Sequence, residues 1–427
     1  MAQITPFRAL RYTPKAGNPA DLVTQPYDKI SPEMQERYYA ASPYTIARII
    51  KRRDDSPGSE SDNVYTRAAA EFNHWIANGI LAHDPEPAFY PYFQQFEHPE
   101  TGETVARKGL ICLGPVADYS EGIVHRHELT HSGPKLDRLN LTRHTRAHFG
   151  QLFLLYDDPN FAIEAFLDQA ASAAPLISVS DEYGVRHTVW RIAEPAAVAR
   201  IQQAMSDKKL LIADGHHRYE TAQAYRRENP GLPGSDKVMM TLVNMRAPGL
   251  AVLATHRVFG GLPDFDARRL LERAATYFDI APLDSDEALQ KRLDDAAPDP
   301  AVLGVILACD PKAYLLTARP AALEPLLADL SPAERRLDVV VLHRALIENA
   351  LGVSGEDVRE LKNISYIRGF GNAAGEVRSG AAQVAFAMRP VRPEQVAEVA
   401  FSGHVMPQKS TDFYPKLLTG LTIYRVG

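Results

Sequence analysis

A mixed α/β fold with α+β character follows from three features of the sequence. The first is the stretch Lys209–Asn244. The apolar run Leu210-Leu211-Ile212-Ala213 suits a buried strand, Asp214-Gly215 breaks it, and Tyr219, Ala222 and Tyr225 recur at helical spacing. The turn Asn229-Pro230-Gly231-Leu232-Pro233-Gly234 then leads to the strand Val238–Val243, which reads as a βαβ unit. The second is residues 88–116, which alternate like strands around a turn near Pro99–Gly102 and predict a hairpin. The third lies beyond Asp264, where helical patterns at 267–277, 286–294 and 338–351 alternate with strand-like Val302–Leu307 and Tyr314–Thr317. These predict an additional α/β lobe.

The remaining elements follow in order. Residues 1–60 are rich in Pro, Tyr and Arg and read as irregular, with a polar loop at 54–62. A helix is expected over Tyr65–Asn78, stopped by Gly79. The segment 121–149 is polar and dense in His, Arg and Lys, Leu152–Tyr156 reads as a strand and 160–173 as a helix. Val384–Met388 and Leu421–Tyr424 are the last strand-like pieces. At 427 residues the chain exceeds ordinary single-domain size. The expected division is an N-terminal mixed lobe over 1–190, a phosphate-binding core over 191–262 and a C-terminal α/β lobe over 263–427.

The turn after Ala213 carries the strongest chemistry. A strand that ends at Asp214-Gly215 and reopens as a helix brings unpaired backbone N–H groups and the positive end of the helix dipole to one point. His216, His217 and Arg218 lie at the same point. Such a point suits a phosphate. Capping alone would need only Asp214.

Asp214-Gly215-His216-His217-Arg218, followed by Glu220 and Ala222, resembles the phosphate-binding box of the ParB/sulfiredoxin superfamily, in the form found in free serine kinases. The wider chain resembles the family termed domain of unknown function 1015. The likeness extends over Gln25-Pro26-Tyr27-Asp28, Ser42-Pro43-Tyr44, Arg126-His127-Glu128 and Lys135-Leu136-Asp137-Arg138. It continues through Thr255-His256-Arg257, Met406–Thr411 and Phe413-Tyr414-Pro415-Lys416. The resemblance implies a ParB/sulfiredoxin-like core and a nucleotide-dependent kinase of a small hydroxyl compound, with L-serine or a close analogue as acceptor, ATP or ADP as donor, and Mg²⁺. It implies that Asp214, or an N-terminal acid such as Asp28, handles the hydroxyl proton. Gly215, His216 and Arg218 would then bind phosphate, and His217 with Arg218 would stabilise the transferring charge. Glu220 would hold metal or the substrate amine.

Two further motifs are weaker. His127-Glu128-Leu129-Thr130-His131 fits H-E-x-x-H, which needs both His on one face of a continuous helix. Ser132-Gly133-Pro134 follows at once and should deny it that helix, so a zinc hydrolase is the outsider among the readings. Gly403–Ser410 misses the P-loop pattern at Gln408, and Pro407 removes an amide donor. Lys409, Ser410 and Thr411, with Lys416, could still form a basic loop that covers a nucleotide. The like-charged Lys135 and Arg138 beside Asp137 favour an anionic ligand, and Asp28, Asp214, Glu128 and Glu220 supply enough carboxylates for a Mg²⁺ site and a base.

Composition narrows the classes. A hydrophobic content of 45%, 23% charged residues and a net charge of −6 describe a globular protein without the basic surface that nucleic-acid binding needs. No apolar run spans a bilayer, no secretory signal is visible, and two cysteines without metal or redox spacing suit a reducing cytoplasm. A sulfiredoxin-like reductase would need a Cys where His216 stands. A non-enzymatic nucleotide-sensing protein stays open beside the kinase.

Overall fold

The computed structural model describes residues 2–54, 58–129 and 132–427. The chain is mixed α/β and divides into two compact units. The first takes residues up to 126, those up to 251 that follow residue 131, and 415–427. The second takes 127–129 and 252–414.

The first unit is built on an eight-stranded sheet. Its strands are β1 (Tyr90–Glu97), β2 (Thr104–Pro115), β3 (Val124–His125), β4 (Leu152–Tyr156), β5 (Ile177–Ser180), β6 (Arg186–Val189), β7 (Leu210–Asp214) and β8 (Lys237–Asn244), in the order β3-β7-β4-β8-β2-β1-β6-β5. The β1–β2 hairpin matches the alternation in the sequence, with Tyr90 opposite Ile111 and Glu97 opposite Thr104. The strand–helix–strand order over 210–244 is as expected, but β7 and β8 are not a βαβ pair. Strand β4 lies between them, antiparallel to β7 and parallel to β8, so the two run in opposite directions. Hydrophobic periodicity reports which residues are buried and carries no information on strand direction. The division expected at 190 cuts this sheet, because β6 and β7 belong to it together.

Leu152, Leu154, Tyr156, Leu210, Ile212, Met240 and Leu242 form one face of the sheet core, packed with Ile201 and Met205 of the helix Pro195–Met205. A separate cluster of Leu10, Ile46, Phe72, Trp75, Leu141 and Phe149 organises the N-terminal segments. Residues 1–60 are therefore more regular than their composition suggests. They hold the strand Leu10–Tyr12 and the helices α1 (Pro32–Ala41) and α2 (Ala47–Ile50). Ser31 caps α1 by accepting from the Met34 amide, with Pro32 at its first turn. The helix α3 (Val64–Ala77) falls where periodicity places it, and Asn63 with Thr66 closes a capping box. The polar segment after 131 forms α4 (Ser132–Thr145).

The second unit has a six-stranded sheet of β9 (Thr255–Phe259), β10 (Phe278–Leu283), β11 (Val302–Leu307), β12 (Ala313–Ala318), β13 (Ile364–Arg368) and β14 (Val384–Met388), ordered β10-β12-β11-β14-β9-β13. All of its neighbouring pairs are antiparallel. No helix among the described residues is long and apolar enough to cross a membrane.

Candidate functional site

Strand β7 delivers Asp214 to the edge of the core, and the chain turns at Gly215 into α5 (His216–Glu228). The register with β4 shifts between Ile212 and Asp214, a bulge that re-aims the last side chain of the strand. Gly215 has φ +100°, a left-handed conformation that L side chains rarely adopt. A Cβ there would lie 2.9 Å from Leu152 Cδ2 and 3.1 Å from Arg218 Nε and Nη2. The glycine therefore serves both the turn and the close approach of Arg218. No side chain caps α5.

The helix is fixed from its buried face. Tyr219 is fully buried, and its hydroxyl accepts the Ala117 amide at 2.9 Å and donates to the Ala117 carbonyl at 2.8 Å. Gln223 donates to the same carbonyl at 2.7 Å. These bonds tie α5 to the chain that follows β2, so the position of the turn is set by the core.

Asp214 is the electrostatic centre. Arg218 Nη2 donates to its Oδ2 at 2.6 Å and Lys416 Nζ to its Oδ1 at 3.2 Å. Arg218 Nη1 donates to the Gln151 carbonyl at 2.6 Å. Burial alone would raise the Asp214 pKa. The charge of Lys416, then that of Arg218, the Lys416 hydrogen bond and Lys29 outweigh it and hold the carboxyl well below the usual carboxylate range. One carboxylate thus faces two bonded cations, with Lys29 acting on it as well.

Beside Arg218 is a largely apolar cavity of about 70 Å³ lined by Tyr27, Arg138, Phe149, Gly150, Leu152 and Thr419 among others. Arg138 stacks over the Tyr27 ring at 4.0 Å. Burial first, then Asp28, raises the Tyr27 pKa against the pull of Arg138 and Arg218.

The other residues singled out by sequence have distinct placements. Asp28 is exposed in a short 3-10 turn, Tyr27–Lys29. His216 is buried and His217 half-buried in the first turn of α5. Glu220 is engaged by Lys135 at 2.6 Å, with Arg126 at 3.7 Å, so its carboxylate is occupied by cations. Asp137 accepts from Tyr65 at 2.9 Å and from Arg138 Nε at 2.8 Å, and Arg138 Nη1 donates to the Ile50 carbonyl. Lys135, Asp137 and Arg138 therefore brace α4 against its neighbours.

Glu128, Lys409, Ser410 and Thr411 belong to the second unit. There the Lys409 amide donates to Glu128 Oε1 at 2.9 Å, His127 Nε2 and Thr411 Oγ1 are 2.9 Å apart, and Ser410 donates to the Pro407 carbonyl. Of the H-E-x-x-H motif, Thr130 and His131 lie outside the described residues, and His127–Leu129 is not helical. Lys416, which its basic neighbours in the sequence group with Lys409, Ser410 and Thr411, belongs to the first unit and stands against Asp214. Gln151 contributes a main-chain carbonyl, which no side-chain pattern announces.

The fold and this box define an α/β protein with an Asp–Arg–Lys cluster at a strand-to-helix turn. The sequence profile of the family described as protein of unknown function (DUF1015) matches residues 4–340, and the chain belongs to that family. No curated protein matches the sequence. Among solved structures, a conserved hypothetical protein from Pyrococcus furiosus is similar at 14% identity, with 69% of this chain and 90% of that one covered and a TM-score of 0.32. A free serine kinase in complex with AMP is similar at 14% identity, 71% and 88% coverage and a TM-score of 0.35. SbnI with a C-terminal truncation, from Staphylococcus aureus, is similar at 11% identity, 72% and 85% coverage and a TM-score of 0.35.

Proposed function

We propose that the protein is a nucleotide-dependent phosphotransferase acting on a small hydroxyl compound of the free L-serine class, with the Asp214–Arg218 turn as its phosphate site. The observation that carries this reading is the ionised Asp214 carboxylate held between Arg218 and Lys416 at a glycine turn into an uncapped helix N-terminus. Phosphoryl transfer proceeds through a loose transition state and needs positioning and positive charge more than covalent chemistry. Lys416 and Arg218 supply that charge, and the N-terminus of α5, opening at His216 and His217, adds its dipole. Asp214 is a weak base, since its pKa is depressed. Its role is to hold the two cations in place and to orient the acceptor hydroxyl, and a loose transition state demands little base strength.

The donor is ATP or ADP. The residues present do not make a dedicated Mg²⁺ cage. No group of three or more His, Cys, Asp or Glu suited to a metal occurs among the described residues, and both oxygens of Asp214 already face cations.

A second reading, nucleotide binding without turnover, is favoured by the same double engagement of Asp214. The deciding assay incubates the protein with Mg²⁺, L-serine and either ATP or ADP, and looks for O-phosphoserine by mass. Product that disappears in Lys416→Ala supports the kinase. Nucleotide binding with no product from either donor refutes it in favour of the sensor.

A further inference from the structure

Three of the sequence blocks that the Asp214 site does not use meet within the second unit. Met406 donates its amide to the His127 carbonyl at 2.8 Å, the Lys409 amide reaches Glu128, and Arg257 of the Thr255-His256-Arg257 block donates Nη2 to the Gln408 and Lys409 carbonyls at 3.1 Å each. Arg257 is fully buried on β9. Its other hydrogen-bond partners are neutral, the Thr255 carbonyl and the Met388 sulfur. Glu128 is near enough to act on it electrostatically, yet none of the ion pairs among the described residues includes Arg257. An arginine cannot escape this charge by deprotonation, so an unpaired guanidinium in the interior is costly.

Around it, three buried polar atoms have no hydrogen-bond partner: Arg257 Nε, Tyr366 Oη and His343 Nε2. Tyr366 is the cross-strand partner of Arg257, whose guanidinium lies 5.2 Å from the ring centroid. His343 is over nine-tenths buried and feels the Arg257 charge, and burial first, then that charge, lowers its pKa to about 3, so it stays neutral. Buried polar groups are almost always satisfied, and orphans in one neighbourhood call for a missing acceptor. Arg Nε–H is donor-only, Tyr O–H can donate, and a neutral His can donate from Nε2. A water would satisfy hydrogen bonds but leave the charge. A compact oxyanion satisfies both.

We propose that the second unit contains its own oxyanion-binding site, centred on Arg257 with Tyr366 and His343, for a phosphate or carboxylate group. It is separate from the Asp214 turn and does not depend on that turn's activity. The test uses the full-length protein carrying Arg218→Gln, so that the first site does not dominate, titrated separately with inorganic phosphate and with acetate. Calorimetry and thermal shift are the readouts. We expect one-to-one saturation by at least one probe, and which probe binds tells phosphate from carboxylate. Arg257→Gln should weaken that binding at least 10-fold. Tyr366→Phe, which removes only the hydroxyl, should weaken it about 3- to 10-fold with the ligand-free melting temperature unchanged. Absence of saturable binding by both probes overturns the proposal, as does equal affinity in Tyr366→Phe and its parent.

Discussion

Replacing Asp214 by Asn separates the structural and functional roles of the cluster. The substitution keeps shape and one acceptor oxygen but removes the charge that faces Arg218 and Lys416. Removing one partner of a fully buried pair costs ~3–5 kcal/mol, and an exposed pair contributes ~0–1 kcal/mol. The Asp214 side chain is 27% exposed and its partners 17% and 13%. The loss should therefore be ~2–3 kcal/mol, or ~5–10 °C in melting temperature for a unit of this size. The pH dependence follows from the depressed pKa. Stability from such a carboxylate is fully present above its unfolded pKa of ~3.9 and is lost only as pH falls through the lower folded value. The gap between wild type and Asp214→Asn, measured by urea unfolding, should thus stay constant from pH 7 to pH 5 and begin to close only below pH ~4. Functionally, the variant removes the negative charge that faces the two cations, so phosphate and nucleotide should bind at least as tightly while turnover falls ~10²-fold or more. A gap that already shrinks between pH 7 and pH 5 would refute the electrostatic argument. Weakened nucleotide binding would refute the assignment of Arg218 and Lys416 as phosphate ligands.

Two further outcomes are expected. Gly215→Ala must hold φ +100° and push Leu152 or Arg218 aside, so it should cost ~1–3 kcal/mol by urea unfolding and weaken nucleotide binding measured by calorimetry. His256, buried beside Arg257, has its pKa lowered to about 4 first by burial and then by that charge. Its contribution is present above the unfolded value of ~6.5 and is lost as pH falls towards 4, so His256 alone should account for ~1–2 kcal/mol of the decline in stability between pH 7 and pH 5. His256→Leu should reduce that decline by the same ~1–2 kcal/mol, measured by urea unfolding, and an unchanged slope would contradict it.

The mixed α/β class, the β1–β2 hairpin, α3 and the strand–turn–helix at 210–228 were legible in the sequence, because burial on one face imposes a period and Gly215 and Asn63 mark their turn and cap. So was the Asp214–Arg218 box, whose residues are adjacent in the chain and share one turn. Strand direction was not, since an apolar run looks the same in either orientation, and β4 inserts between β7 and β8 through hydrogen bonds that no local pattern encodes. Nor were the regular elements of the first 60 residues, whose burial depends on Phe72, Leu141 and Phe149 from elsewhere in the chain. Lys416, the partner of Asp214 that no local pattern announces, is 202 residues away. The pairing of Glu220 with Lys135 and Arg126 was likewise invisible in the sequence. Sequence thus determined which chemical groups a single turn carries. Tertiary structure decided which distant charges stand against them, because a carboxylate's pairing is set by distances that only the folded chain creates.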